Sequence, residues 1–296
     1  MNGPNDIASS PACLWQVGAT LGEGVLWDAA SAQVWFVDIK GRRVHRCDAD
    51  GGNRRSWDAP GQVSFIVRAE DGGMVCSLDD GLYRFIEASG AFEPLLAVEA
   101  ELPGNRFNDG HVDAQGTLWF GSMHDAEEQA TGTLYRFDGA GAEPKDAGYI
   151  ITNGPALSPD GRTLYHTDTL DKRIYAFDLD LAGGLSNKRP FVDLKDGGYP
   201  DGMAVDAEGC LWVATFGGWR IDRFDAAGHK VGEVRFPCAN VTKVAFGGGD
   251  LRTVYATTAR KGLSNEELAA QPLAGGLFSF RVETPGLPQR LLRLEK

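Results

Sequence analysis

Six segments of the chain repeat one arrangement of polar and apolar positions. In each segment a polar residue precedes a short apolar stretch that ends in a turn rich in Asp and Gly, as in residues 153–161 and 201–209. Successive polar positions are separated by 41, 44, 45, 48 and 41 residues. These positions are Glu23, Ser64, Asn108, Asn153, Asp201 and Thr242. A repeat of this length predicts one structural unit for each copy.

A second motif follows each of these positions. It is a short strand of aromatic and β-branched residues, a turn, and a further strand, as in residues 211–215 followed by 221–225. Such segments predict β-strands, and only residues 266–271 have a pattern typical of a helix. Four strands in a period of about 40–45 residues are typical of a propeller blade. We therefore predict an all-β fold, a six-bladed β-propeller with four antiparallel strands per blade.

The two ends of the chain are predicted to close the ring. Residues 14–17 precede the first repeat, and residues 289–294 follow the last one. Pairing an N-terminal strand with a C-terminal strand at these positions would remove two free sheet edges. No linker or change of composition divides the chain, so we expect residues 1–296 to form a single propeller domain.

Composition and charge narrow the choice of partners and compartment. The 296 residues carry a formal net charge of −12, and an acidic surface disfavours nucleic acids and anionic membranes as partners. No apolar run approaches the roughly 18–20 residues of a membrane helix, and the N-terminal residues lack the features of a secretory signal. The five cysteines are dispersed, which predicts reduced thiols rather than a zinc site. We therefore expect a cytoplasmic protein.

The six polar positions form a candidate site, because one register of a propeller converges on its central channel. Glu23, Asn153 and Asp201 offer two carboxylates and one amide oxygen, the donors that hard divalent cations prefer. Three protein ligands would leave coordination positions for water and substrate, as in catalytic metal sites. The alternative is that these side chains cap backbone groups or bind channel water. Ser64 and Thr242 are poor ligands and are assigned to the channel wall.

Five motifs recur in the order and spacing of a known family. They are Leu-Gly-Glu-Gly-Val-Leu-Trp at 21–27, Arg-Phe-Asn-Asp-Gly at 106–110, Leu-Trp-Phe-Gly-Ser-Met at 118–123, Thr-Asn-Gly-Pro at 152–155 and Pro-Asp-Gly-Met at 200–203. With these motifs, residues 14–282 resemble the SMP-30/gluconolactonase/luciferin-regenerating family of six-bladed lactonases. The pair that follows residue 123, His124-Asp125, is similar to the pentonolactonase branch.

The resemblance implies a site and its ligands. One catalytic divalent cation would be bound by Glu23, Asn153 and Asp201, and Ca²⁺, Zn²⁺, Mn²⁺, Mg²⁺ and Fe²⁺ are all candidates. Arg106 and Asn108 of the Arg-x-Asn motif would bind the substrate. Further candidates for contacts with sugar hydroxyls are Asp109, His124 and Asp125. For these three, a turn residue or a solvated loop is an equally good interpretation.

The resemblance also implies an activity, the hydrolysis of an aldonolactone to the aldonic acid in sugar oxidation. Xylono-, arabinono- and gluconolactone are the candidate substrates. The cation would polarise the lactone carbonyl and lower the pKa of a bound water from 15.7 towards about 7. Asp201 is the predicted general base for that water.

Two other functions stay open at this point. The first is an organophosphate or aryl-ester hydrolase on the same architecture, and the second is a non-catalytic binding scaffold. The chain has no Gly-x-Ser-x-Gly, His-Glu-x-x-His or phosphate-loop motif, which argues against other common classes of hydrolase and against nucleotide binding.

Most aromatic residues are expected to have structural roles. Trp219, in a Gly-rich turn, is the exception and is predicted to line the pocket. His45 and His229 are predicted to be exposed. The tryptophans that recur in the blade pattern are predicted to lie in the core, and they are Trp27, Trp35, Trp119 and Trp212.

Overall fold

The computed structural model describes residues 7–195 and 197–295, and it consists almost entirely of β-strands. The strands form six four-stranded antiparallel sheets. The first strands of neighbouring sheets contact one another, so the sheets stand as blades around one axis. The predicted six-bladed β-propeller with four strands per blade is confirmed.

The strand β1 (Ala12–Trp15) belongs to the last blade, and blades one to three follow it along the chain. Blade one consists of β2 (Gly22–Asp28), β3 (Gln33–Asp38), β4 (Arg43–Asp48) and β5 (Arg55–Asp58). Blade two consists of β6 (Ile66–Arg68), β7 (Met74–Leu78), β8 (Gly81–Ile86) and β9 (Ala91–Ala97). Blade three consists of β10 (Asn105–Val112), β11 (Leu118–His124), β12 (Gly132–Phe137) and β13 (Ala142–Tyr149).

Blades four to six complete the ring. Blade four consists of β14 (Thr152–Leu157), β15 (Thr163–Asp168), β16 (Arg173–Leu179) and β17 (Leu185–Asp193). Blade five consists of β18 (Tyr199–Val205), β19 (Leu211–Phe216), β20 (Arg220–Phe224) and β21 (Lys230–Arg235). Blade six consists of β22 (Val241–Gly247), β23 (Thr253–Thr258), β24 (Leu277–Arg281) and, at its outer edge, β1.

The predicted helix is also present. It is α1 (Asn265–Ala270), in the connection between β23 and β24, and Ser264 and Glu267 form a capping box at its start. Within the described ranges, no helix has the length and apolar character that crossing a membrane requires.

Buried tryptophans hold the inner hairpins of two blades closed. The indole Nε1 of Trp119 donates to Asp113 Oδ2 at 2.8 Å, and Trp212 Nε1 donates to Asp206 Oδ2 at 2.9 Å. Each aspartate also accepts backbone N–H groups of its own turn. The recurring tryptophans are buried, which confirms their predicted place in the core. They are Trp27, Trp35, Trp119 and Trp212.

The N-terminal strand closes the ring, but its partner differs from the predicted segment. β1 pairs antiparallel with β24, and Ala12 lies opposite Ser279. The prediction that residues 289–294 form this pair is wrong. The reason is that blade six has three strands of its own, and β24 already presents the free edge that β1 covers.

The segment that follows β24 instead crosses the propeller. In this C-terminal tail, residues 286–295, Gly286 N donates to Leu251 O of blade six at 2.8 Å. Leu292 N donates to Arg68 O of blade two, also at 2.8 Å. The Leu292 side chain is fully buried. The tail therefore covers the C-terminal ends of the inner strands, and the channel is open towards their N-terminal ends.

Candidate functional site

The N-terminal ends of the inner strands surround a pocket of about 270 Å³. Its walls include Glu23 from β2, Arg106 and Asn108 from β10, Asn153 from β14 and Asp201 from β18. The structure thus brings together the three predicted metal ligands and the two predicted substrate-binding residues of the Arg-x-Asn motif.

A β-bulge aims these side chains into the pocket. Regular pairing of the inner strand stops between Glu23 and Leu26 in blade one, and between Asn153 and Ala156 in blade four. Blades three and five have the same irregularity at the same place. In blade four the bulge needs Gly154, whose φ of 74° lies in the left-handed region. A bulge bends the strand and changes the direction of a side chain. The shared bulge therefore explains why the polar residue of each of these repeats faces the pocket.

Two carboxyl groups of the pocket are buried without a basic partner. Glu23 is 2% exposed and Asp201 is 6% exposed. In the described part of the chain, neither carboxylate forms an ion pair with Lys, Arg or His. Burial raises the pKa of Glu23 well above its usual value, and repulsion by Asp201 raises it further. Two buried carboxylates that repel each other fit a bound cation, which would neutralise both.

The third donor of the set is the amide of Asn153, which is 2% exposed. Together with Glu23 and Asp201 it offers three oxygen ligands of the type that hard divalent cations bind. No group of three or more His, Cys, Asp or Glu side chains suited to a metal occurs in residues 7–195 and 197–295. An ion at this place therefore requires the amide oxygen to complete its protein ligands.

A chain of hydrogen bonds fixes the orientation of that amide. Asn153 Nδ2 donates to Thr169 Oγ1 at 2.9 Å, and Asn153 Oδ1 accepts from Asn108 Nδ2 at 2.8 Å. Asn108 Oδ1 in turn accepts from Arg106 Nη1 at 2.7 Å. The two residues of the Arg-x-Asn motif thus line the pocket and also hold the predicted ligand in place.

The other predicted substrate contacts lie in different places. Asp125 accepts hydrogen bonds from Arg106 Nε at 2.8 Å and from Lys40 Nζ at 2.5 Å, so its carboxylate supports the arginine. His124 is outside the pocket lining, and its Nδ1 accepts from the backbone of the following loop at 3.3 Å. Asp109 is 1% exposed and lies deeper in the channel, where Lys243 Nζ contacts it at 2.5 Å.

Several pocket residues were not found by sequence reasoning. Glu127 and Lys261 form an ion pair and both line the pocket. Leu170 and Phe216 add an apolar wall. Glu127, Lys261 and Leu170 lie in connections between strands, where the repeat does not fix position, and Phe216 is the last residue of β19. Tyr199, which flanks a ligand strand and for which a packing role was the favoured expectation, also lines the pocket.

Two expectations about aromatic side chains need correction. Trp219 is outside the pocket lining and is 40% exposed, whereas Phe216 at the end of β19 lines the pocket. His45 is 2% exposed rather than solvated. It lies in β4 beneath Trp15 of the closing strand, with ring centroids 5.4 Å apart. The covering strand belongs to the neighbouring blade six, so the local pattern around His45 does not reveal it.

The two remaining register residues join neighbouring blades. Ser64 Oγ donates to Phe107 O at 2.5 Å, and Thr242 Oγ1 donates to Gly22 O at 2.6 Å. Both side chains are fully buried. Their assignment to the channel wall agrees with these contacts.

Comparison with known proteins gives a consistent result. A family model described as SMP-30/Gluconolactonase/LRE-like region matches residues 21–260. The chain is 35% identical to 6-deoxy-6-sulfogluconolactonase of Pseudomonas putida, with 94% of this chain and 97% of that protein covered. It is 36% identical to L-arabinolactonase of Azospirillum brasilense, with 90% of each covered. A crystal structure of a calcium-binding protein, regucalcin, from Agrobacterium tumefaciens superposes with a TM-score of 0.92 at 31% identity, covering 97% of this chain and 98% of that one.

Proposed function

The chain belongs to the SMP-30/gluconolactonase/LRE-like family, and from this premise we propose that it hydrolyses a sugar lactone with the help of one divalent cation. Relatives named as lactonases over nearly their full length support lactone hydrolysis as the reaction. The observation that supports a bound cation is the pair of buried carboxylates, Glu23 and Asp201. Both face one pocket, and neither has a basic partner in the described residues.

Each residue of the proposed ligand set has a separate role. Glu23, Asn153 and Asp201 would hold the cation, which supplies Lewis-acid polarisation of the lactone carbonyl and a more acidic water when bound. Asp201 would accept the proton of the attacking water, because its carboxylate faces the pocket and can act as a general base. The bulged inner strands keep these side chains in place, so the site needs little rearrangement for the reaction.

The remaining pocket residues would orient the substrate. Arg106 and Asn108 line the pocket and would bind ring or exocyclic hydroxyls, Arg106 as a donor and Asn108 as an acceptor through Oδ1. Leu170, Tyr199 and Phe216 belong to the apolar part of the lining and would contact the carbon face of the ring. A pocket of about 270 Å³ suits a compact neutral lactone, and we propose pentono- and hexonolactones such as xylono-, arabinono- and gluconolactone.

We place this activity in sugar oxidation, where an aldonic acid is released from the lactone that a sugar-oxidising dehydrogenase produces. We also propose that the protein works in the cytoplasm. In support of this, all five cysteines have free thiols, as expected in a reducing compartment.

Aryl-ester or organophosphate hydrolysis is the second candidate. The observation in its favour is the apolar wall formed by Leu170, Tyr199 and Phe216, which would accept an aromatic leaving group. Arg106 favours the hydroxylated substrate instead, because a guanidinium at the pocket wall binds hydroxyl oxygens and an aryl ring offers it no such acceptor.

The experiment is a substrate panel on chelator-treated protein. Aldonolactones, an aryl ester and an organophosphate are assayed with no metal and then with Ca²⁺, Mn²⁺, Zn²⁺, Mg²⁺ or Fe²⁺ added singly. We expect lactone hydrolysis to disappear on chelation and to return with at least one ion, and the variant Glu23→Gln to lose this recovery. Lactone hydrolysis that persists in chelator, corrected for the spontaneous rate, would overturn metal dependence. Preferential turnover of the aryl ester would favour the second candidate.

A further inference from the structure

A buried ion pair lies in the channel below the proposed cation site. Lys243 Nζ of β22 contacts Asp109 Oδ2 of β10 at 2.5 Å, and the two side chains are 7% and 1% exposed. These strands belong to blades six and three, on opposite sides of the ring. The C-terminal tail covers the channel beneath the pair, where Gln289 and Arg290 share a small cavity with Lys243.

The path of the lysine side chain brings it next to the proposed ligands. A Cβ atom added to Gly202 would lie 2.3 Å from Lys243 Cδ, so the absence of a side chain beside Asp201 makes room for the lysine. Burial raises the pKa of Glu23, the carboxylates of Asp201 and Asp109 raise it further, and Lys243 acts in the opposite direction. The pair and the proposed ligands therefore form one electrostatic cluster.

The cluster contains more negative than positive charge. Glu23, Asp201 and Asp109 are three carboxylates, and Lys243 is the ammonium group that contacts one of them. When all four are ionised, their formal charges sum to two negative charges, which matches one divalent cation. The nearby cations Arg106 and Lys261 form ion pairs with Asp125 and Glu127 and are not counted. A buried ion pair is costly to desolvate and adds little stability over an apolar pair of the same shape. Its presence here is better explained by its effect on the neighbouring site than by stability of the fold.

We propose that Lys243 is an internal counter-cation that binds Asp109, keeps this third carboxylate out of the coordination sphere and sets the charge of the site for a divalent ion. This inference rests on the proposed function, since it concerns the same cation. Lys243 and Asp109 are positioning residues, because they act on the ion through charge and do not touch the substrate pocket.

The proposal gives opposite effects for the two single substitutions. Asp109→Asn removes the partner of Lys243, so the ammonium group would turn towards Glu23 and Asp201 and compete with the ion. Lys243→Met removes that positive charge and leaves an additional carboxylate near the ion. The double variant removes both charges, so the excess of two negative charges is restored without the ion pair.

The test measures Mn²⁺ binding by isothermal titration calorimetry on chelator-stripped protein. For one unit charge near a divalent ion in a partly dry channel, we expect Asp109→Asn to raise Kd at least about tenfold. Lys243→Met should lower Kd for Mn²⁺ and should lower it still more for Tb³⁺. The double variant should return to within about threefold of the wild-type Kd, because both charges are gone. Thermal unfolding in chelator shows whether each variant is folded.

The outcomes separate this inference from the proposed function. If the wild type binds Mn²⁺ at one site, Glu23→Gln abolishes that binding, and the double variant binds no better than Asp109→Asn, the counter-cation role is overturned and the pair is structural. An unchanged Kd in Asp109→Asn has the same meaning. If Glu23→Gln leaves Mn²⁺ binding intact, the ion lies elsewhere and the proposed function itself fails. Should Lys243→Met not fold, the comparison of Asp109→Asn with the double variant still decides.

Discussion

Asp201 combines two proposed tasks in one side chain, as a ligand of the cation and as the base for the attacking water. It is 6% exposed, and burial raises its pKa well above the usual value. A bound cation would oppose that shift and keep the carboxylate ionised at neutral pH. The two proposed tasks therefore depend on each other.

Substitution of this carboxylate tests both tasks. Asp201→Asn keeps the shape but removes charge and basicity, so we expect lactonase kcat/KM to fall at least about a hundredfold even at high cation concentration. Initial rates with the best lactone of the panel give the value. Asp58→Asn is the matched control, because the Asp58 side chain is 86% exposed at the outer edge of blade one. Wild-type rates in Asp201→Asn would remove Asp201 from the mechanism.

The loop after β11 forms ion pairs with two other blades at the mouth of the pocket. The loop after β11 carries Asp125 to Lys40 of blade one and Glu127 to Lys261 of blade six. It therefore reaches across the mouth in two directions. The Glu127 and Lys261 side chains are 31% and 33% exposed, so their attraction is weakened by solvent and salt.

This cross-ring pair predicts a salt-dependent effect on substrate binding. Glu127→Gln and Lys261→Met should each change KM by about two- to tenfold with little effect on kcat, because neither residue is a proposed ligand of the cation or the proposed base. The double variant should resemble either single variant, since one interaction is lost in all three. KM measured at about 0.05 M and about 0.5 M salt should differ more in the wild type than in the variants. Additive effects of the two substitutions would contradict a direct pair.

The closing strand joins blade six to blade one as well as completing its own sheet. Trp15 of β1 packs edge-on against Phe36, with ring centroids 5.5 Å apart, and Arg54 lies 5.6 Å from the Trp15 ring. Trp15→Ala should lower the free energy of unfolding by about 2 kcal/mol, less than for a fully buried tryptophan because Trp15 is only partly buried. Trp219→Ala, at an exposed rim position, should change it by less than about 0.5 kcal/mol. Denaturant unfolding compares the two, and equal losses would contradict the role of β1.

The sequence predicted those parts of the fold and site that repeat. The register residues and the strands that follow them are local patterns, so the sequence alone predicts that Glu23, Asn153 and Asp201 lie at one mouth of the channel. The sequence did not predict the contacts between side chains of distant repeats. Lys243 and Asp109 are 134 residues apart, and so are Lys261 and Glu127. No repeat specifies which side chains from opposite blades meet.

The C-terminal tail illustrates the same limit for a whole segment. Its residues have enough apolar character to suggest a strand, and the expected pairing with the N-terminus followed from that. The free edge beside β1 was already supplied by β24. The tail instead inserts Leu292 into the core between blades two and three. This tertiary contact, rather than the local strand pattern, determines the conformation of the tail.

As a whole molecule, we propose that residues 1–296 fold as a single domain. β1 and the tail both join blades that are distant in the sequence, so loss of one blade would expose the faces of its neighbours. We expect one cooperative denaturant transition, with tryptophan fluorescence and far-ultraviolet circular dichroism giving coincident curves. Two separated transitions would contradict the single domain.

Low pH should decrease the free energy of unfolding, because a histidine is buried beneath the closing strand. Burial lowers the pKa of His45 from its usual 6.5 to about 4. The unfolded chain therefore binds a proton that the native protein does not as pH falls from about 6.5 towards 4, and stability decreases by up to about 1.4 kcal/mol per pH unit. His45→Gln should show a shallower loss between pH 7 and about 4.5, whereas His229→Gln, at an exposed position, should match the wild type. Unfolding free energies at several pH values give the slopes, and equal slopes for wild type and His45→Gln would refute this origin.

The central claim is that one divalent ion lies between three oxygen donors from blades one, four and five. The most direct measurement is an anomalous difference map from crystals soaked in Mn²⁺. The account predicts a single strong peak within coordination distance of Glu23, Asn153 and Asp201. A map with no peak among these side chains, or with the ion bound at another place, would contradict it.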